Sequence, residues 1–254
     1  MSFALHALLP PRRLQARSTA HGRILLSGII GFAAALHCTL AVGQEVQLCG
    51  DLANHYGPYD FRRFQGPKLE IVERFHFTSK VESLAGGETA PLPGDIGYTL
   101  RAFPNHPRAL IAMARWHERD AKQPKPIERL RFKRSEDRNT RKEQLPMECW
   151  LERAVRFQPD DTVVRLLLAQ HLFKQGKNDA GVQHLELALK QPETSELTHY
   201  NAGLIALDAK LYDIALRQAH RARELGLQPA ELQQRLQAAG RWREPEPAAS
   251  SPGR

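Results

Sequence analysis

From residue 160 to 226 apolar positions recur at the spacing of helices, and small residues interrupt them at fixed places. In the stretch HYNAGLIALDAKLYDIALRQAHRARELG, Ala202, Gly203 and Ala206 stand close together. Ala215, Ala219 and Ala222 then follow at four- and three-residue steps. Laid over the preceding stretch DTVVRLLLAQHLFKQGKNDAGVQHLELALK at one constant offset, it pairs Ala169 with Gly203, Gly181 with Ala215, Leu185 with Ala219 and Ala188 with Ala222. Small residues at such steps are contact points: two packed helices leave no room for a large side chain where they cross. Each unit therefore reads as a helix, a short turn and a second helix.

This pattern resembles the tetratricopeptide repeat (TPR), a helix-turn-helix unit whose length matches the offset from Ala169 to Gly203. The small residues at Ala169, Gly181 and Ala188, and again at Gly203, Ala215 and Ala222, carry the resemblance. Leu172 and Ala206 depart from it where an aromatic is commoner, and Pro192 comes one place early. A further unit pairs PRALIAMARWHER (Pro107–Arg119) with ECWLERAVRFQPDD, which holds Ala154 and Pro159; an insertion over 120–140 separates the two helices. Before it, Thr99 and Pro104 mark the second helix of another degenerate unit. The repeats thus span 95–226, a capping helix with Pro229 in its first turn spans 227–242, and a disordered tail spans 243–254. The fold class that the resemblance implies is an all-α superhelix of helix-turn-helix units. Its binding surface would be the concave face of the first helices: Val163, Leu166, Gln170, Phe173 and Lys174, then Leu197, Tyr200, Leu204, Leu207 and Asp208. That surface suits an amphipathic or extended peptide, or is filled by the chain's own N-terminal segment or capping helix.

Residues 44–94 lie outside the repeats and form a small irregular segment. LEIVERFHF (Leu69–Phe77) is expected to be a short strand or extended segment, from its β-branched and aromatic residues. Ser79 and Glu82 have the spacing of a capping box, with Gly86 ending that short helix, and GGETAPLPGD is expected to be a loop. The segment is also similar to the start of small secreted bacterial TPR proteins, with Cys-Gly and Tyr-Gly-Pro-Tyr-Asp.

Residues 1–43 carry Arg12, Arg13, Arg17 and Arg23 and no acid, followed by an apolar run from Ile24 to Val42 and small residues at Ala41 and Gly43. This is the layout of a secretory signal peptide. An uncleaved anchor is the alternative, and membrane contact is expected only in that case. Either reading sends the rest of the chain to the periplasm or beyond, because the arginines stay inside. The net charge of +8 shrinks accordingly: without those four arginines, 32 basic residues face 28 acidic ones. No nucleic-acid partner is inferred from it; the basic run RLRFKR (Arg129–Arg134) reads as a solvated excursion. Beyond Cys38 in the signal, two cysteines remain, Cys49 and Cys149. In an oxidising compartment they form either a disulfide or two buried thiols.

No GxSxG, HExxH, GxxxxGK[ST] or GxGxxG occurs, and Gly86, Gly87 and Gly94 lack the lysine of a phosphate loop. No catalytic residue, metal site or cofactor is expected. The candidate chemical cluster is His55, Tyr56, Tyr59, Asp60, Arg62 and His76, joined by Asp95, Tyr98 and His106. Such residues can hold a metal or act as acid and base. The plainer reading is that Tyr59, Asp60 and Arg62 hydrogen-bond a loop onto the first helices. The expected function is binding: an adaptor or assembly factor that holds a peptide or helix of another envelope protein. The alternative is an envelope enzyme or metal binder using the N-terminal cluster.

Overall fold

A computed structural model describes residues 49–122, 145–192 and 194–245. The signal segment, the basic run at 129–134 and the tail beyond 245 lie outside them. The described residues form ten helices and no strand. In chain order these are α1 (Pro67–His76), α2 (Ser79–Glu82), α3 (Leu92–Ala102), α4 (Pro107–Lys122) and α5 (Met147–Phe157). Then come α6 (Thr162–Lys174), α7 (Asn178–Leu189), α8 (Glu196–Asp208), α9 (Tyr212–Glu224) and α10 (Ala230–Ala238). Among these helices none is long and apolar enough to cross a membrane.

The sequence offset is visible in the helices. From Thr162, where α6 starts, to Glu196, where α8 starts, is the same step as from Asn178 of α7 to Tyr212 of α9, and the same as from Ala169 to Gly203. The side-chain contacts repeat with that step. Arg165 Nη1 lies 3.3 Å from His184 Nδ1, and at the equivalent positions His199 Nδ1 lies 2.7 Å from Gln218 Oε1. Asp161 caps α6 by accepting from the Val164 amide at 3.1 Å, and Ser195 caps α8 through the Thr198 amide. Within each pair, α6 packs on α7 and α8 on α9; the first helices α4, α6 and α8 also touch in succession, and α10 closes the row against α8 and α9.

The small residues sit where the sequence pattern requires them. Ala169, Ala188, Ala202, Ala206, Ala215, Ala219 and Ala222 are fully buried. A side chain at Gly181 would run into the Phe173 ring, and one at Gly203 into Leu232 of α10. The core divides around α6. Val164, Leu168 and Leu172 face α2–α5 with Trp150, Phe77 and Leu110, while Leu166 and Ala169 face α7–α10 with Leu185, Leu232 and Leu236. An inner helix with a core on both sides must be apolar nearly all round.

Several local expectations change. Leu69–Phe77 is helical up to His76, not extended. Pro67 opens α1, and Leu69 and Val72 turn one face onto Ala102 and Phe103; that burial outweighs the β preference of the other residues. No capping box forms at Ser79: the cap position is Thr78, whose hydroxyl donates to Glu88 and does not cap the helix, and Glu82 instead pairs with Arg108. That helix stops at Ser83, and Leu84, not Gly86, takes the left-handed conformation at φ 62°. The loop expected over 86–95 ends at Pro91, because Leu92 already starts α3. Pro229 likewise stands at the cap of α10 rather than within its first turn.

The irregular segment is tied down by a disulfide between Cys49 and Cys149, with a Cα–Cα distance of 4.9 Å. Buried Arg153 donates to the Cys49 and Asp51 carbonyls, and Arg156 donates to that of Gly50. Farther on, the Tyr59 amide donates to Ala102 O at 2.8 Å. Gly57, at φ +96°, makes this approach possible: a Cβ there would stand 2.5 Å from the same carbonyl oxygen. The disulfide suits an oxidising, extracytoplasmic environment.

Candidate functional site

A concave site lies between α4, α5 and α6, a groove of about 350 Å³. Its floor is apolar, with Leu110, Ala114, Leu151 and Leu167. Its rim is polar, with Arg115, Glu118, Gln170 and Lys174. Both walls follow from helical spacing: Leu167, Gln170, His171 and Lys174 form one stripe of α6, and Leu110, Ala114, His117 and Glu118 one stripe of α4. An ion pair, Lys174 Nζ to Glu118 Oε1 at 2.6 Å, bridges the two helices at the rim.

His117 and His171 also line this groove. Burial lowers the pKa of both, opposed for His117 by Asp120 and for His171 by Glu148. Their uncharged forms are thereby favoured. Among the described residues His117 Nε2 is buried and has no hydrogen-bond partner. A buried nitrogen of this kind rewards a ligand that supplies the missing bond.

Of the ten residues expected on the concave face, Gln170 and Lys174 line the groove. Val163 and Leu197 are exposed apolar residues, 48% and 54% accessible, at equivalent places on α6 and α8. Phe173, Tyr200 and Leu204 are half-buried against the second core. Tyr200 and Asp208 are engaged by α10: the Tyr200 hydroxyl donates to Glu231, and Arg235 pairs with Asp208 at 2.5 Å. Leu166 and Leu207 are only 6% exposed and belong to the core. Helical spacing also carried a signal for Ile111, Ala114 and Glu118, but those positions precede the clearest repeats.

The N-terminal candidates divide into separate constellations. Asp60 accepts from Arg62 and from Asn105, and Asn105 also donates to Asp161. Arg62 reaches on to Asp160 and Gln158. Burial pushes the Asp60 pKa up, but the bonds from Arg62 and Asn105 outweigh it, and the carboxyl ends below its ordinary value. Tyr59 rests against Tyr56, Phe64 and Phe103. This network holds the loop at 59–64 onto the turns before α4 and α6. Neither Asn105 nor Asp161 stood out in the sequence, since turn residues carry no periodic signal.

His106 is buried; its Nδ1 accepts from the Ala109 amide and its Nε2 meets Glu73 at 3.1 Å. Its pKa is lowered by burial, against the pull of Glu73. His76, Asp95 and Tyr98 do come together: His76 Nδ1 lies 2.9 Å from Asp95 Oδ1, and the imidazole stacks on Tyr98 with ring centres 3.8 Å apart. His55 is exposed, and no hydrogen bond joins it to Asp60 or His76 among the described residues. Among those residues no three His, Cys, Asp or Glu side chains are grouped to hold a metal ion. No family model, curated protein or solved structure matches this chain.

Proposed function

We propose that this chain is a TPR-type adaptor of the bacterial envelope whose groove between α4, α5 and α6 binds a peptide or helix of another envelope protein. The observation that carries the reading is the groove itself: an apolar floor with a polar rim, built on the facing stripes of two successive first helices. A row of rigid helices offers a preformed dock, so little ordering entropy is lost on binding. The constant step between successive helix pairs supports the TPR assignment, and the disulfide together with the signal-like segment at 1–43 supports an exported chain. Binding without catalysis is the reading of choice.

The test is site-directed photo-crosslinking in the cell envelope. A crosslinker at Gln170 reports on the groove, and one at Arg217 on the outer surface of α9. One partner trapped from Gln170 and not from Arg217, then bound by the purified chain, is the expected result. Ala114→Arg should fill the groove and weaken that binding about tenfold or more. Unchanged affinity in Ala114→Arg, with the fold intact by circular dichroism, would remove the groove from the mechanism.

A further inference from the structure

A second cleft, of about 300 Å³, lies between α1, α3 and the 88–90 loop, away from the groove. Its walls are aromatic and aliphatic: Tyr56, Tyr98, Ile71, Val72 and Phe75. Ile71 and Phe75, one helical turn apart on α1, are 50% and 47% exposed at the cleft, beside buried Val72. His76 is the one imidazole at this cleft.

The surroundings of His76 set which of its nitrogens is open. Asp95 is fully buried and accepts from the amides of Glu88 and Thr89, from the Thr89 hydroxyl at 2.7 Å and from His76 Nδ1. The Thr89 hydroxyl, 2.8 Å from His76 Nδ1, gives its own proton to Asp95, and an ionised carboxylate only accepts, so Nδ1 carries the proton. In the neutral ring Nε2 is then the bare acceptor, and it has no hydrogen-bond partner among the described residues. The Tyr98 stack holds the ring in place. A buried carboxylate, a locked imidazole and a half-exposed apolar wall therefore present one acceptor beside an aromatic-lined space.

We propose that this cleft binds a phenol, with the ring between Phe75, Tyr56 and Ile71 and the hydroxyl donating to His76 Nε2. The volume stands at the lower end of the range of ligand sites, which suits a single ring. Aromatic walls favour edge and offset contacts with such a ring. The phenol is either a free small molecule or the side chain of a tyrosine in a peptide. This site is independent of the groove between α4 and α6.

The experiment titrates the isotope-labelled full chain with p-cresol, toluene and N-acetyl-tyrosinamide, following the His76 and Tyr98 signals by NMR. Saturable p-cresol binding at these signals, about tenfold tighter than toluene, is expected, the ratio reflecting one hydrogen bond. His76→Phe keeps the stack and removes the acceptor; p-cresol should then bind no better than toluene. Binding of N-acetyl-tyrosinamide would identify a peptide tyrosine as the ligand, and its exclusion a free phenol. The proposal is overturned if p-cresol causes no saturable change at His76, or if p-cresol and toluene bind the native chain equally. The latter comparison holds even if the His76→Phe chain fails to fold.

Discussion

Asp60 and Asp161, far apart in the chain, share a single amide: Asn105 Nδ2 donates to both, at 2.7 and 2.9 Å. All three side chains are buried, and Arg62 adds its charge from the half-open side. Two carboxylates can be buried together here because each has charged and neutral donors. Asn105→Ala should therefore cost about 2–4 kcal/mol in chemical denaturation, because the carboxylates stay buried while a shared donor is lost. Arg62→Ala should cost less, about 1 kcal/mol, since its side chain is 36% exposed and water can replace it. Equal losses in the two variants would mean that the charge, not the amide, holds the turns together.

Acid should destabilise the fold in two steps. His106, His117, His171 and His184 all have pKa values lowered from 6.5, by burial above all. The unfolded chain then binds protons more readily than the folded one, so their contribution is complete above pH 6.5 and declines as pH falls below it. Asp60 and Asp95 are lowered from 3.8 by hydrogen bonds that overcome burial, and their contribution is lost only below about pH 4. Unfolding free energies measured from pH 8 to 3 should slope downward from about pH 6.5 and again near pH 4. A curve that is flat between pH 7 and 4.5 would contradict the first step.

The Cys49–Cys149 bridge closes a loop with a sequence separation of 100 residues. Restricting so long a loop in the unfolded chain is worth about 5 kcal/mol in the chain-entropy view. Replacing both cysteines by serine should lower the midpoint of denaturation accordingly. Hydrogen exchange should report loss of protection first at residues 49–66, which Arg153 and Arg156 hold at one end. Loss confined to the last repeat instead would show that the bridge acts elsewhere.

Gly203→Val should undock α10, because a side chain at 203 meets Leu232. The overpacking cost is about 1–3 kcal/mol, read as a lowered melting temperature with exchange increased over 230–238. At Gly181→Ala the nearest atoms to the new methyl all belong to the Phe173 ring, which is half-buried, so that ring has space to turn aside. Combining Gly181→Ala with Phe173→Leu should restore part of the lost stability, and strictly additive costs would exclude a direct contact.

The pairing of α6 with α7 and of α8 with α9 was legible in the sequence alone. Its determinants are local and periodic: small residues such as Ala169, Gly181, Gly203 and Ala215 recur with the step of the repeat, since crossing helices exclude bulk there. The N-terminal half was less legible. Leu69–Phe77 carries residues of β preference, and Ala102 and Phe103 at the end of α3, with the rings of Tyr56, Tyr59, Phe61 and Tyr98, give its helical face something to bury against. Leu166 and Leu207 were expected in the groove from their places in the repeat that the chain resembles; which side of α6 and α8 is covered depends on neighbours that the pattern of one helix does not name. Helical spacing sets the stripes that wall the groove, but the groove itself and the His76 cleft were decided by tertiary structure. Each is assembled from side chains of separate elements, and their meeting depends on how helices pack, not on any spacing along the chain.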